Sequence, residues 1–201
     1  MIYKIFQPAP PLRPFIDVYW QLSGNLNQQE ILTLMPDGGI HLVVDLGDYI
    51  YSCFETKFNY ENILLIVPHM RSDVQILHDE VLCFGVRFRP GAFSHFYNYD
   101  SIDHVANDFP RKNFPDLKQI LTDFSNGLDQ FFIRRFTPPK LSILECLSDI
   151  YTNNGLISVD NLAKKHLTSE RQLERLFKQH LGLSPKKFAN LERFPHLWRK
   201  H

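Results

Sequence analysis

The chain has 201 residues, 44% apolar and 22% charged, the balance of a globular protein that can bury a core rather than a disordered tract. Its formal net charge is zero, which argues against a uniformly basic nucleic-acid sleeve. The charge is nonetheless uneven: residues 140–201 hold 11 Lys/Arg against 6 Asp/Glu, and residues 1–139 hold 11 against 16. An acidic front and a basic back suit a sensor region joined to a DNA-contacting one.

Met1 to Phe6 has the composition of a short strand. Pro8, Pro10, Pro11 and Pro14 then predict a rigid surface crossing. Phe15 to Ser23 and Ile31 to Met35 are strand candidates. Pro36-Asp37-Gly38-Gly39 is a turn signal, because proline presets the first corner and glycine accepts positive φ. With Ile40 to Leu46 as the next strand, this segment predicts a hairpin. Tyr49 to Phe58 and Asn62 to Val67 are also strand-like, and Val74 to Leu77 with Val81 to Phe88 predicts a second hairpin. Pro90-Gly91 ends the sheet, and a short helix follows through Phe96.

After Asp100 the apolar spacing becomes helical. Phe114 to Phe124 and Leu128 to Phe136 predict two helices separated at Asn126-Gly127. Thr137-Pro138-Pro139-Lys140 is a stiff linker. It divides a β-rich region with helical extension, 1–136, from a helical region, 141–201. Leu141 to Thr152 is the next helix, stopped by Asn153-Asn154-Gly155.

The most informative stretch runs from Ser158 to Lys178. Ser158 can cap a short helix carrying Val159, Leu162 and Ala163 on one face. Ser169 or Thr168 can cap a second, with Glu170 where the helix dipole favours negative charge. Leu173, Leu176 and Phe177 make its buried stripe. Arg171, Gln172, Glu174, Arg175 and Lys178 occupy the opposite face. This is the form of a DNA-reading helix-turn-helix, although an ordinary helical hairpin has the same periodicity. Gly182 suits a helix stop, Ser184 an N-cap and Pro185 a first helical position.

Leu162-Ala163, Ser169-x-Arg171-Gln172-Leu173-x-Arg175-Leu176-Phe177-Lys178, Gly182 and Ser184-Pro185-Lys186-Lys187-Phe188 resemble the first helix-turn-helix of AraC-type (AraC/XylS family) transcription regulators. The resemblance runs from about Ile143 to Phe194. More loosely, Tyr19-Trp20, Pro36-Asp37-Gly38 and Gly85-x-Arg87-Phe88-x-Pro90-Gly91 resemble the amino-terminal region of a subgroup of these regulators. The resemblance implies an α+β chain. A mainly antiparallel, cupin-like domain would bind an effector or dimerise, and a small all-α segment would bind double-stranded DNA. It also implies a bacterial origin and transcription control. The family usually has glycine where Leu167 stands and an apolar residue where Thr168 stands.

By matching positions, Arg171, Glu174 and Arg175 would face the major groove, where arginine forks onto guanine O6 and N7. Glu174 would either accept from cytosine N4 or orient the arginines. Gln172 and Lys178 would touch phosphate; Lys186 and Lys187 would touch phosphate or form a solvated pair. The family continues into a second helix-turn-helix, whereas here the matching register fades after Arg193-Phe194 and Pro195 is expected to break the helix. The expectation is a C-terminally truncated regulator. The alternative is an effector-binding or oligomerising remnant without productive promoter binding.

Other chemistries find little support. His41, His69, His78, His95 and His104 lack the spacing of a cupin metal site, and no nucleophile elbow, Walker loop or dinucleotide fingerprint is present. Arg87 and Arg89 could pair an anionic effector, but polar residues around a buried Phe88 is the simpler reading. No enzyme activity, metal or cofactor is expected, and the effector is not identified. Cys53, Cys83 and Cys146 sit in apolar runs without C-x-x-C spacing, suiting free thiols in a reducing cytosol. No secretion signal or membrane-length apolar run is visible, so a cytoplasmic location is expected.

Overall fold

The computed structural model describes residues 1–34, 37–47, 50–52, 63–68, 73–97, 99, 101–102, 124–138 and 143–198. Its front half is an antiparallel sheet built from β1 (Ile2–Phe6), β2 (Ile16–Leu34), β3 (Ile40–Asp45), β4 (Ile50–Ser52), β5 (Ile63–Ile66) and β6 (Asp73–Phe88). The order is β1-β2-β6-β3-β5, with β4 also paired to β6. Among the described residues the helices α1 (Phe124–Arg135), α2 (Ile143–Thr152), α3 (Val159–Lys165), α4 (Glu170–Leu181) and α5 (Pro185–Trp198) follow. The result is an α+β chain with an N-terminal sheet.

Both hairpins expected from the sequence are corrected. The Asp37–Gly39 turn joins β2 to β3, but those strands are not neighbours, because β6 lies between them. Ile31 to Met35 is not a separate strand either: β2 runs unbroken from Ile16 to Leu34. Nor does the chain reverse between Leu77 and Val81. There Asp79 of β6 takes a φ of 53°, opposite the bulge that β2 makes between Leu26 and Glu30. A bulge re-aims a strand without ending it, which explains how a polar break in the apolar pattern can resemble a turn.

The sheet is buried on both faces. On one, Tyr19, Ile40, Leu42, Val44, Val86 and Phe88 pack with Phe93, Phe96 and the α1 residues Leu128, Phe131 and Phe132. On the other, Leu22, Leu26, Val43, Leu77, Val81 and Cys83 form a second cluster beside Trp20. Burial on both sides accounts for the nearly continuous apolar sequence of β3. Tyr19 donates a 2.9 Å hydrogen bond to Asp129 and so ties β2 to α1.

The α1 helix passes through Asn126-Gly127, where the sequence suggested a separation. The first of the two helices expected there lies outside the described residues through position 123. The α5 helix likewise continues through Pro195 to Trp198. Proline there withholds its N–H and crowds the carbonyl four residues back, a cost that falls within one turn of the helix end.

The helical half has its own core, including Ile143, Leu147, Ile150, Leu162, Leu173, Phe177, Leu181 and Phe188. It rests against the front half. A Cβ on Gly38 would meet the Phe188 ring, and one on Gly91 would press on Ile143 and Leu147. The Tyr99 and His180 rings meet edge-on, with centroids 6.3 Å apart.

Candidate nucleic-acid interface

Each end of α3 and α4 is closed by a local hydrogen-bond device. Ser158 accepts from the Asn161 N–H at the start of α3. At its end, Leu167 N–H donates to Lys164 carbonyl and Thr168 N–H to Ala163 carbonyl, the paired bonds of a Schellman stop. This stop requires a left-handed residue, and Leu167 supplies it with φ 51°. Its side chain is 96% exposed, so packing offers no evident repayment of the strain.

The α4 helix begins with a complete capping box. Ser169 Oγ accepts from the Gln172 N–H, and the Ser169 N–H donates to the Gln172 side-chain oxygen at 3.1 Å. The Ser169-x-x-Gln172 spacing carries this signal, so Gln172 serves the helix start and not, as the sequence reading has it, phosphate alone. Gly182 closes the helix with φ 69°. Ser184 then caps α5 by accepting from the Lys187 N–H at 3.3 Å.

These caps fix the rotation of α4. Leu173, Phe177 and Leu181 are buried, and Phe177 packs edge-on to Phe188 with centroids 6.2 Å apart. Arg171, Gln172, Glu174, Arg175 and Lys178 are all exposed and border one open cleft of about 460 Å³. Lys186 and Lys187 are exposed in the first turn of α5. The structure therefore brings the five α4 residues together on one face, while the two lysines stand on the next helix.

Behind this face, Asp149 of α2 accepts from Lys165 at 2.6 Å and contacts His166 at 2.8 Å. The Lys165 contact holds the Asp149 carboxyl below its usual range, against opposing desolvation and with help from His166. Gly155 completes the frame. Its φ is +70°, its carbonyl accepts from Arg193 at 2.6 Å, and a Cβ there would collide with the Ala189 carbonyl. The remaining thiol of this half, Cys146, is buried, and burial pushes it up to about 11.

The Asp37–Gly39 turn holds a second polar cluster. Asp37 bridges His41 at 3.1 Å and Arg87 at 3.0 Å, and Arg89 pairs with Asp17 at 3.1 Å. Burial tends to raise the Asp37 carboxyl, but His41, Arg87 and the Gly39 N–H together hold it below its usual range. Arg87 and Arg89 are thus already engaged with carboxylates. Among the described residues no cluster of three or more His, Cys, Asp or Glu could hold a metal ion. Among them also, no helix is long and apolar enough to cross a membrane. His69, His104 and Cys53 lie outside the described residues.

No curated protein sequence matches the chain. Among solved structures, the AraC-like transcriptional activator CuxR is matched across 99% of this chain and 86% of that one, at 8% identity. The TM-score of 0.24 means that the two backbones do not superpose as one fold. Residues 4–108 match the family described as a domain of unknown function, DUF6597. That match covers the sheet and just over half of the 201 residues, so the protein belongs to the DUF6597 family.

Proposed function

We propose that the protein is a sequence-specific DNA-binding transcription regulator of the AraC type, a non-enzymatic cytoplasmic protein whose α4 helix enters the major groove. One observation carries this reading: a doubly capped helix buries Leu173, Phe177 and Leu181 while exposing Arg171, Gln172, Glu174, Arg175 and Lys178 together. Caps and core hold the exposed stripe in a fixed orientation, and groove reading needs that preorganisation.

Arg171 and Arg175 are the base readers, each able to fork onto guanine O6 and N7. Glu174 lies between them and accepts from cytosine N4 or aligns the two guanidiniums. Gln172 has its side-chain oxygen in the capping box, which leaves its amide N–H groups to meet phosphate. Lys178, Lys186 and Lys187 add phosphate contacts, the last two at a helix start. The sheet domain occupies the position of the effector-binding or dimerising region in AraC-type regulators, so a small-molecule effector and a second copy are its proposed partners.

Fluorescence anisotropy on a short duplex over a range of salt tests the interface. Affinity is expected to fall with salt, and Lys186→Ala with Lys187→Ala should flatten the log–log slope by about 1 per lost phosphate contact. Arg171→Ala or Arg175→Ala should cost about 1–3 kcal/mol on a specific site. Binding that ignores salt and all four substitutions would reject the interface.

A further inference from the structure

Two histidines face each other electrostatically across the seam between the sheet region and α4. His95 ends the 3-10 turn Ala92–His95 and is 3% exposed. Its ring packs against Phe15 and Phe136, with centroids 4.9 and 6.0 Å away. Its Nδ1 lies 3.3 Å from the Thr137 carbonyl, which can only accept, so Nδ1 carries the hydrogen and Nε2 the lone pair. That Nε2 is buried without a hydrogen-bond partner. His180, in the last turn of α4, stacks edge-on with Tyr99, and its Nδ1 is buried without a partner too.

We propose that His95 and His180 form a proton-operated latch between the sheet domain and α4. A proton added to either ring places a buried charge without an acceptor in the seam and loosens α4 from the sheet. The latch stands on the packing of the two regions; its consequence for DNA reading rests on the function proposed above.

The surroundings fit this behaviour. Burial lowers both imidazoles below their usual value, and the nearby His95 lowers His180 further. Among the described residues, the Thr137 carbonyl opposes this at His95. Among the described residues, the other ionisable groups at this part of the seam are Tyr97, which feels the Arg135 cation, and Tyr99. Burial raises both phenols, so they stay neutral through the histidine range. Lys178 lies on the same helix as His180, and among the described residues no carboxylate acts on either ring.

The sign follows from linkage. A lowered imidazole favours the docked, neutral form, so docking is complete above about pH 6.5 and is lost as pH falls below it. Elsewhere on the seam, Glu192 works in the opposite direction. Burial raises its carboxyl, Asp37 adds to the rise and Arg87 opposes it, so acid strengthens that contact. Tyr151 feels the same Asp37, Glu192, Arg87 and Arg89 charges and stays neutral, because burial raises it. Glu192→Gln therefore isolates the histidine effect.

Hydrogen exchange of the full chain without DNA, with times scaled for intrinsic rates, tests the latch at about pH 7.5 and 5.5. Protection of α4 and the Ala92–Tyr97 segment should fall several-fold in acid. The fall should be larger in Glu192→Gln and smaller in His180→Phe, which keeps a ring against Tyr99 and leaves only His95 to titrate. No fall in the parent and Glu192→Gln, or an equal fall in His180→Phe, overturns the proposal. If His180→Phe does not fold, imidazole titration by NMR in the parent decides. A His180 that titrates at or above its ordinary value overturns the latch, and one that titrates below it, together with seam loosening, sustains it.

Discussion

The sheet and the helical half are stabilised by information at different distances along the chain. In the helical half, each decisive signal lies within a few residues of what it controls: Ser158 starts α3, Ser169 with Gln172 starts α4, and Gly182 ends it. In the sheet, β2 and β6 pair from Ile16↔Phe88 to Leu34↔Asp73, across three intervening strands. Register there depends on which strands meet, and neighbours in sequence need not meet. The helical half is consequently specified locally, and the sheet that holds it takes an order that only the whole chain determines.

The sharpest way to break this comparison is to empty one core. Phe177 is fully buried at the centre of the helical half, and Phe177→Ala should cost about 3–5 kcal/mol. Hydrogen exchange should then show α2 to α5 losing protection while β2 and β6 retain theirs. Simultaneous loss in both regions would mean one cooperative unit rather than two.

A smaller change addresses the seam alone. Gly38→Ala sets a methyl group against the Phe188 ring and should destabilise by about 1–3 kcal/mol. The effect should concentrate in α5 and the Asp37–Gly39 turn. A neutral substitution would show that the two regions do not press on each other there.

The smallest expected effect is a gain. Leu167→Gly removes a left-handed side chain from an exposed turn and should stabilise the helical half by about 0.5–1 kcal/mol. Thermal denaturation measures it. A loss of stability would mean that the leucine makes a contact that its 96% exposure hides.

The same distinction explains what could be read from the sequence. Leu173 and Phe177 of the expected stripe and the opposing charges needed only the helical period, whereas Leu176 is only partly buried and Leu181 completes the stripe one turn on. Strand positions such as Ile40–Asp45 and Ile63–Ile66 were legible from apolar runs, but their partners were not. The apolar gap at His78-Asp79-Glu80 looked like a turn because a bulge and a reversal interrupt alternation alike. The His95–His180 seam was not legible, since no local pattern joins residues brought together by the packing of two regions. The capping role of Gln172 could have been read, because a serine three residues before a glutamine states it locally.

The most direct measurement is selection from random duplex DNA by the full chain near physiological salt, beside the Arg171→Ala, Arg175→Ala double variant. The account predicts a reproducible sequence motif, guanine-containing where the arginines read, that the double variant no longer selects. A motif retained by the variant, or no motif from the parent chain, would contradict a reading helix at α4.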